Sequence, residues 1–274
     1  MKKLFLLSLM ALMTMTMMSC VGANYGEGSL EDTTPTQVTE ISQVTTMEPF
    51  DVVDITGAFR VIYEQGTEYN VRVEASEQAF KEMTVYVKDR ELCIHKSVYK
   101  PTARLGNVKV YVSSPELKKI DVSDAGLFAA DTINLGTNPR VFVMGSSWVL
   151  LSTVTNQGKA IFSVDGSGNI EVGNLKTDGA VADIDGSGKI ILGALECNSM
   201  RAGINGSGEI NCDNINADDV HANISGSGNV NLKGTVKNVT KDITGTGKVN
   251  ITEATSSDSI NRIIQYEISP YFKK

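Results

Sequence analysis

The second half of the chain alternates apolar and polar positions in a pattern that returns about every 20 residues. Within each copy the apolar residues are two apart and mostly β-branched, which is typical of strands rather than helices. The apolar columns before and after a glycine motif contain Val164, Ile184, Ile204, Ile224 and Ile243, then Ile170, Ile190, Ile210, Val230 and Val249. A short fixed period indicates one small unit stacked on copies of itself. The pattern therefore predicts an all-β protein whose copies are rungs of two or three short strands in a right-handed parallel β-helix, a β-solenoid.

A pair of glycines separates the two apolar columns of each copy. Four copies contain Gly-Ser-Gly and the last contains Gly-Thr-Gly. Glycine adopts positive φ without a steric penalty, so the motif predicts a sharp corner in every rung. A backbone surface left bare for a ligand is the alternative, but tight bends are the usual role of solenoid glycines. The predicted corner residues are Gly166, Gly168, Gly186, Gly188, Gly206, Gly208, Gly226, Gly228, Gly245 and Gly247.

The rest of the chain is organised around this repeat. Residues 37–120 form a strand-rich first half, in which 69–75 alternate like a half-buried strand and 76–81 suit one helical turn. Weaker copies around Gly126 and Ser147 extend the array backward to about seven copies over residues 121–252. Residues 253–274 depart from the repeat, and we interpret them as a cap on the open edge of the solenoid.

The first residues have the pattern of a targeting segment. Lys2 and Lys3 precede a mostly apolar run to Met18, which predicts a secretory signal over residues 1–19. The following Ser19-Cys20 resembles the lipobox of bacterial lipoproteins, so Cys20 is the predicted lipidation site; an ordinary signal peptide with a chance cysteine is the alternative. Residues 20–36 are rich in Gly, Thr and Glu without periodicity, which predicts a flexible tether.

Composition and charge narrow the function classes. The 274 residues are 41% hydrophobic and carry a net charge of −7, which becomes −9 once the two lysines of residues 1–19 are removed. An acidic chain is repelled by phosphate backbones, so nucleic acid is excluded as a partner. Cys93, Cys197 and Cys212 remain after Cys20, and an odd number cannot pair completely within one chain. We interpret Cys197 and Cys212 as core or surface residues, not as a disulfide or a metal pair.

The sequence contains no recognisable catalytic or metal motif. Its two histidines, His95 and His221, lie far apart in the array, which argues against a shared metal site or a catalytic dyad. No cofactor is expected. Arg201 falls at a different phase of the repeat from Asp165 and Asp185, which argues against a polysaccharide-cleaving site on the solenoid exterior.

A column of oxygen-bearing side chains stands directly before the corners. Stacked oxygens there are the pattern of a cation site, whereas side-chain hydrogen bonds at a turn are the alternative. We favour the hydrogen-bonded ladder, because the column changes from acid to amide to hydroxyl along the array. Its members are Asp165, Asp185, Asn205 and Ser225.

The rungs resemble a known family. The stretch from Ile204 to Ile210, Ile-Asn-Gly-Ser-Gly-Glu-Ile, is similar to the head GIN domain of auto-transporter adhesins, a domain of unknown function. The segment from Phe50 to Tyr63 and the one from Ser114 to Ile120 are similar to the entry segment of that family. The resemblance implies a β-helical fold in a secreted or lipid-anchored bacterial protein.

Three functions follow from these expectations. The first is a non-catalytic, lipid-anchored envelope protein with an adhesion, scaffold or recognition role. The second is a polysaccharide-binding or polysaccharide-degrading β-helix protein, which the low aromatic content of 6% disfavours. The third is an envelope-stress or signalling component that binds a periplasmic protein. The expected partners are the membrane, through the lipid, and a surface glycan or envelope protein. The expected location is the outer membrane, facing the periplasm or the exterior, with the oligomeric state open.

Overall fold

A computed structural model describes residues 40–97 and 107–252. The signal segment 1–19, Cys20, the tether 20–36 and the cap 253–274 all lie outside the described residues. These four expectations therefore stay predictions.

The first half of the described chain is strand-rich, as expected, and contains one short helix. Its helix begins after Ser76, whose Oγ accepts a hydrogen bond from the backbone N–H of Ala79 at 3.2 Å. This cap confirms the helical turn that the sequence predicts. The elements are β1 (Glu40–Thr46), β2 (Val52–Thr56), β3 (Arg60–Gln65), β4 (Asn70–Ser76), α1 (Glu77–Lys81), β5 (Met83–Lys88), β6 (Glu91–Lys96) and β7 (Lys109–Ser114).

The second half confirms the predicted β-solenoid, with about 7 turns and rungs of about 20 residues. Equivalent residues of successive rungs pair in parallel, so that Val164 stands beside Ile184 and Ile184 beside Ile204. The right-handedness of the coil stays a prediction from the crossover rule. The strands are β8 (Lys119–Ser123), β9 (Leu127–Thr137), β10 (Arg140–Gly145), β11 (Trp148–Gln157), β12 (Lys159–Gly166), β13 (Asn169–Lys176), β14 (Gly179–Gly186), β15 (Lys189–Gly206), β16 (Glu209–Gly226), β17 (Asn229–Gly245) and β18 (Lys248–Thr252).

Each rung has a first arm that ends at the glycine corner and a second arm that begins after it. In the earlier rungs the arms are separate strands, whereas β15 and β16 each run for 18 residues from one corner to the next. The ladder between these two strands skips Gly193 opposite Asp213 and Asn198 opposite Asp218, and pairing resumes after each interruption. A rung can therefore turn without ending its strand. This differs from the predicted rung of two or three short strands.

The core consists of the apolar ladders. Val164, Ile184, Ile204 and Ile224 are each at most 3% exposed. Alanines occupy the neighbouring inward position in three successive rungs, and Phe162 occupies it in the rung before them. Burial of each large side chain stabilises the fold by about 1.5–3 kcal/mol relative to exposure. The intervening residues point away from the core, as the period of two requires.

The strand-rich half is continuous with the solenoid. β2 pairs in parallel with β8 on one side and with β6 on the other, and β3 likewise lies between β9 and β7. β2 and β3 thus form a rung of the same stack, although β6 and β7 follow them in sequence. β1 and β4 extend the β7 side by antiparallel pairing, and β5 extends the β6 side.

Two polar side chains tie together segments of this first part that are distant in sequence. The hydroxyl of buried Tyr63 donates to the carbonyl of Ser114 at 2.9 Å, and burial raises the pKa of Tyr63 to about 12. The carboxylate of Asp51 accepts hydrogen bonds from Lys118 at 3.0 Å and from Arg90 at 3.2 Å. Burial alone raises the pKa of Asp51, but the bonds from Lys118 and Arg90 outweigh it and hold the pKa below its ordinary value.

Candidate functional site

The first glycine of each predicted corner has a backbone conformation that other residues rarely adopt. Its φ is +115° at Gly166, +123° at Gly186, +125° at Gly206, +127° at Gly226 and +120° at Gly245. A side chain at such a φ is strained by about 1–3 kcal/mol. The requirement for glycine therefore recurs at this position in five successive copies.

The second glycine is constrained in a different way. Gly168, Gly188, Gly208, Gly228 and Gly247 have no such positive φ, but a Cβ on any of them would come closer than 3.0 Å to the inward side chain or backbone of the rung before it. Their role is close approach between rungs. The sequence pattern predicts one role, positive φ, for both glycines, and the structure separates the two.

The corner backbone is occupied by ladder hydrogen bonds. The N–H of Ser187 donates to the carbonyl of Gly166 at 2.9 Å, and the N–H of Ser207 donates to that of Gly186 at 2.8 Å. The N–H of Lys189 likewise donates to Gly168 at 3.0 Å. These amides already have partners, which favours the corner over a bare backbone surface for a ligand.

The oxygen column before the corners is linked by side-chain hydrogen bonding at its centre. The amide of Asn205 donates to Oδ1 of Asp185 at 3.2 Å. Asp165, Asp185, Asn205 and Ser225 occupy equivalent positions in successive first arms. This bond is of the kind that the ladder interpretation predicts.

Exposed apolar and charged side chains lie on the outward face of the first arms. We use this term for the side chains of β8, β10, β12, β14 and the following first arms that point away from the core. Phe142 and Met144 on β10 are 38% and 44% exposed there. The same row of positions continues from Phe142 to Ser163, Asp183 and Gly203 in successive rungs.

A shallow groove of about 440 Å³ lies on this face, and we call it the outward groove. Gly203 contributes no side chain, and the carboxylate of Asp183 leans over it, close to where a Cβ would be. Nε of Arg201 lies 3.9 Å from Oδ1 of Asp183. The groove is lined mainly by Phe142, Asp165, Asp183, Asp185, Arg201 and Asn205.

Arg201, Asp165 and Asp185 all border the outward groove, although they belong to different columns of the repeat, as the sequence indicates. Residues an even number of positions apart along a strand share a face, so positions 201 and 205 both point outward. The column that contains Asn205 also contains Asp165 and Asp185, and all three acidic or basic side chains line the outward groove. The carboxylate nearest to Arg201 is that of Asp183, and the expectation that Arg201, Asp165 and Asp185 form no cleaving site stays a prediction.

The two histidines lie in different parts of the stack, in agreement with the sequence argument. His221 stands beside Arg201 in the next rung, and its Nε2 is 3.5 Å from Oδ2 of Asp242. Nε2 of His95, on β6, is 2.6 Å from Oδ2 of Asp54, on β2. No histidine–histidine site can form between these positions.

His95 belongs to a cluster that sequence reasoning missed. Within the described ranges, Asp54, Cys93 and His95 are the one group of three such side chains whose ligand atoms all lie within 4.8 Å of one another. Asp54 pairs with Cys93 across parallel strands. The Cys-x-His spacing on a predicted strand was the available signal for two of the three residues, since it places both on one face.

The three cysteines that the structure describes are free and buried. Burial raises the pKa of the thiols of Cys93, Cys197 and Cys212, to about 11 for Cys197 and about 12 for Cys212. A hydrogen bond from Tyr86 lowers the pKa of Cys93 in part. A raised pKa disfavours the thiolate that nucleophilic catalysis requires. The expectation that Cys197 and Cys212 do not form a disulfide is confirmed.

The stacked rungs and their glycine corners agree with one family of proteins. The family model described as "putative auto-transporter adhesin, head GIN domain" matches residues 49–252. The chain belongs to this family. The resemblance seen in the rung sequences is therefore confirmed, although the family description assigns no ligand. No curated protein matches the chain.

Solved structures share the fold. A structure described as a putative adhesin from Bacteroides fragilis is 21% identical with a TM-score of 0.68, and it covers 78% of this chain and 97% of its own. A putative adhesin from Parabacteroides distasonis is 25% identical with a TM-score of 0.66, covering 78% and 98%. A putative lipid binding protein from the same organism is 22% identical with a TM-score of 0.62, covering 80% and 98%.

In the part of the chain that the structure describes, no helix combines the length and the apolar character needed to cross a membrane.

Proposed function

We propose that this GIN-domain protein is a non-catalytic adhesion module, lipid-anchored at the cell envelope, that recognises a glycan through the outward groove. The observation that carries the proposal is the composition of that groove. An exposed aromatic ring, Phe142, stands on the same face as the carboxylates of Asp165 and Asp183 and the guanidinium of Arg201. Carboxylates accept and guanidinium donates hydrogen bonds to hydroxyl groups, and an aromatic ring packs on the apolar face of a sugar.

The charge of the groove selects among glycans. Three carboxylates and one guanidinium line it, so its formal charge is negative. Sulfated and uronic acid polymers are repelled by such a surface, whereas neutral or amine-bearing glycans are not. The proposal is therefore restricted to neutral or amine-bearing glycans.

A glycan array with the full-length chain in detergent tests this proposal. We expect binding to neutral or amine-bearing glycans that Phe142→Ala and Arg201→Gln each abolish. The matched controls are Trp148→Ala, since Trp148 is 39% exposed outside the groove, and Arg140→Gln on the same outward face. No binding to any glycan, or binding that both groove variants retain, would refute glycan recognition by the groove.

Polysaccharide cleavage is a second candidate, and one observation favours it. Burial raises the pKa of Asp183, although the nearby charge of Arg201 lowers it in part. A carboxyl group with a raised pKa beside a second carboxylate is the arrangement of a glycosidic acid catalyst. Incubating the bound glycan with the full-length chain separates the two functions. Cleavage that Asp183→Asn abolishes would replace the adhesion proposal, whereas an intact glycan supports it.

The lipid anchor has a separate test. Metabolic labelling with a radioactive fatty acid should label the wild-type chain and not Cys20→Ala, because the thiol of Cys20 is the proposed acylation site. Ser19→Ala is the matched control, since it keeps a small residue before the cysteine. Equal labelling of Cys20→Ala and wild type would exclude the anchor and leave the groove proposal standing.

A further inference from the structure

A second cluster of reactive side chains lies on the same outward surface, where β2 pairs with β6. Cys93 and His95 are two residues apart on β6, and both point away from the core because Leu92 and Ile94 point into it. Asp54 on β2 is in register with Cys93 and also points outward. Three different donor types, a carboxylate, a thiol and an imidazole, therefore meet on one face.

The atoms are close enough to share an ion. Nε2 of His95 is 2.6 Å from Oδ2 of Asp54, and the sulfur of Cys93 lies within 4.8 Å of a carboxylate oxygen of Asp54 and a ring nitrogen of His95. Donors around a tetrahedral zinc ion stand roughly 3.2–3.7 Å apart, given metal–ligand lengths of about 2.0–2.3 Å. Insertion of an ion requires opening of the Asp54–His95 hydrogen bond by about 1 Å, a shift of two side chains on paired strands.

We propose that Asp54, Cys93 and His95 form a three-ligand site for a divalent transition-metal ion, with zinc as the best match. A nitrogen, sulfur and oxygen donor set suits zinc, whereas calcium and magnesium take oxygen ligands. Three protein ligands leave one tetrahedral position for water or an external donor. The assignment goes beyond adhesion and does not depend on the outward groove.

The surroundings of the cluster fit an accessible ion. The side chains of Asp54 and His95 are 25% and 27% exposed, so solvent reaches both, while Cys93 is 6% exposed. Tyr86 pairs with Cys93 from β5, and its ring packs edge-on to His95 with centroids 6.1 Å apart. These contacts hold the cysteine and the histidine in place on the sheet.

A neighbouring carboxylate adds negative charge. Asp121 on β8 pairs with Asp54 on the side opposite Cys93, and its Oδ1 is buried without a hydrogen-bond partner. Its other oxygen forms an ion pair with Lys119. An incompletely satisfied carboxylate next to Asp54 favours a cation at the cluster over an empty one.

Cobalt is the probe for this site, because its absorption reports the ligands. We expect the full-length chain to bind Co²⁺ with a thiolate-to-cobalt charge-transfer band and tetrahedral d–d bands, both removed by added Zn²⁺. Cys93→Ser should lose the charge-transfer band, and His95→Gln and Asp54→Asn should lose tight binding. The matched controls, Cys197→Ser and His221→Gln, should keep the wild-type spectrum because neither residue belongs to the cluster.

The outcomes decide the assignment. Circular dichroism checks the fold of every variant, and if Cys93→Ser does not fold, the partly exposed His95 and Asp54 variants decide in its place. Absence of a charge-transfer band in the folded wild-type chain would overturn the proposal. A band of unchanged intensity and affinity in His95→Gln and Asp54→Asn would overturn it too, since the ion would then not depend on the three-ligand set.

Discussion

Replacement of Gly206 by alanine is the sharpest test of the corner. The φ of Gly206 is +125°, and an added Cβ would come closer than 3.0 Å to the carbonyl oxygen of Gly186 in the preceding rung. The clash is with backbone, which cannot rotate away. The rungs must therefore move apart locally or the chain must leave its conformation.

Two contributions make up the expected loss in the free energy of unfolding. A non-glycine residue at such a φ costs about 1–3 kcal/mol. Separation of the rungs weakens the bonds from Ser207 N–H to Gly186 at 2.8 Å and from Glu209 N–H to Gly188 at 3.0 Å, each contributing about 0.5–1.5 kcal/mol. We expect Gly206→Ala to destabilise by about 2–6 kcal/mol, a large part of a typical stability of about 5–15 kcal/mol.

Urea unfolding followed by circular dichroism measures the loss. The control is Gly203→Ala on the same strand, whose Cβ would meet only the movable carboxylate end of Asp183 and whose φ is not in the positive region. Gly203→Ala should stay within about 0.5 kcal/mol of wild type. Equal unfolding midpoints for Gly206→Ala and Gly203→Ala would refute the corner argument.

Three further predictions concern buried or half-buried groups. Tyr63→Phe should cost about 1 kcal/mol in urea unfolding, because it removes the hydrogen bond to Ser114. Burial raises the pKa of Tyr63 to about 12, so the folded state favours the neutral phenol. The contribution of Tyr63 to the free energy of unfolding is therefore present below pH 10 and is lost as pH rises from about 10 to 12. Unchanged wild-type stability over that window would contradict this. Asp51→Asn should lower the free energy of unfolding by about 1 kcal/mol at pH 7. The loss should shrink as pH falls through the lowered pKa of Asp51, because the wild-type carboxylate then becomes protonated. An equal loss at acid pH would argue against an ionic contribution from Asp51. Cys197 and Cys212, with raised pKa values, should resist iodoacetamide at pH 8 in the folded chain and react in denaturant, as mass spectrometry would show; rapid labelling of the folded chain would contradict their burial.

The repeat made much of the fold predictable. Ile184, Ile204 and Ile224 are equally spaced in the sequence, and they pair directly with one another on successive strands. The spacing of the repeat therefore predicts the register of these strands. The corner followed from the glycines for the same reason. The separate role of the second glycine did not, since it depends on how closely one backbone approaches the next.

The first half contains no repeat that predicts which strands pair. Asp54 and Cys93 are 39 positions apart, and nothing in their local patterns indicates that β2 lies between β6 and β8. Parallel pairing between strands distant in sequence is decided by packing of the whole layer. The sequence predicts the strands β2 and β6 that carry Asp54, Cys93 and His95. Only the structure shows that these two strands pair and bring the three side chains together.

The outward surface is where this fold can vary its chemistry. Inward positions are held by packing and corner positions by glycine, so a substitution there is costly in every rung. Outward residues carry neither constraint. One continuous row of outward positions runs from Cys93 through Asp54 and Asp121 to Phe142 and on towards Asp183. Asp54 of the Asp54–Cys93–His95 cluster and Phe142 at the aromatic end of the groove thus stand about 10 Å apart along that row, two strand spacings, on a surface whose side chains neither the core nor the corners constrain.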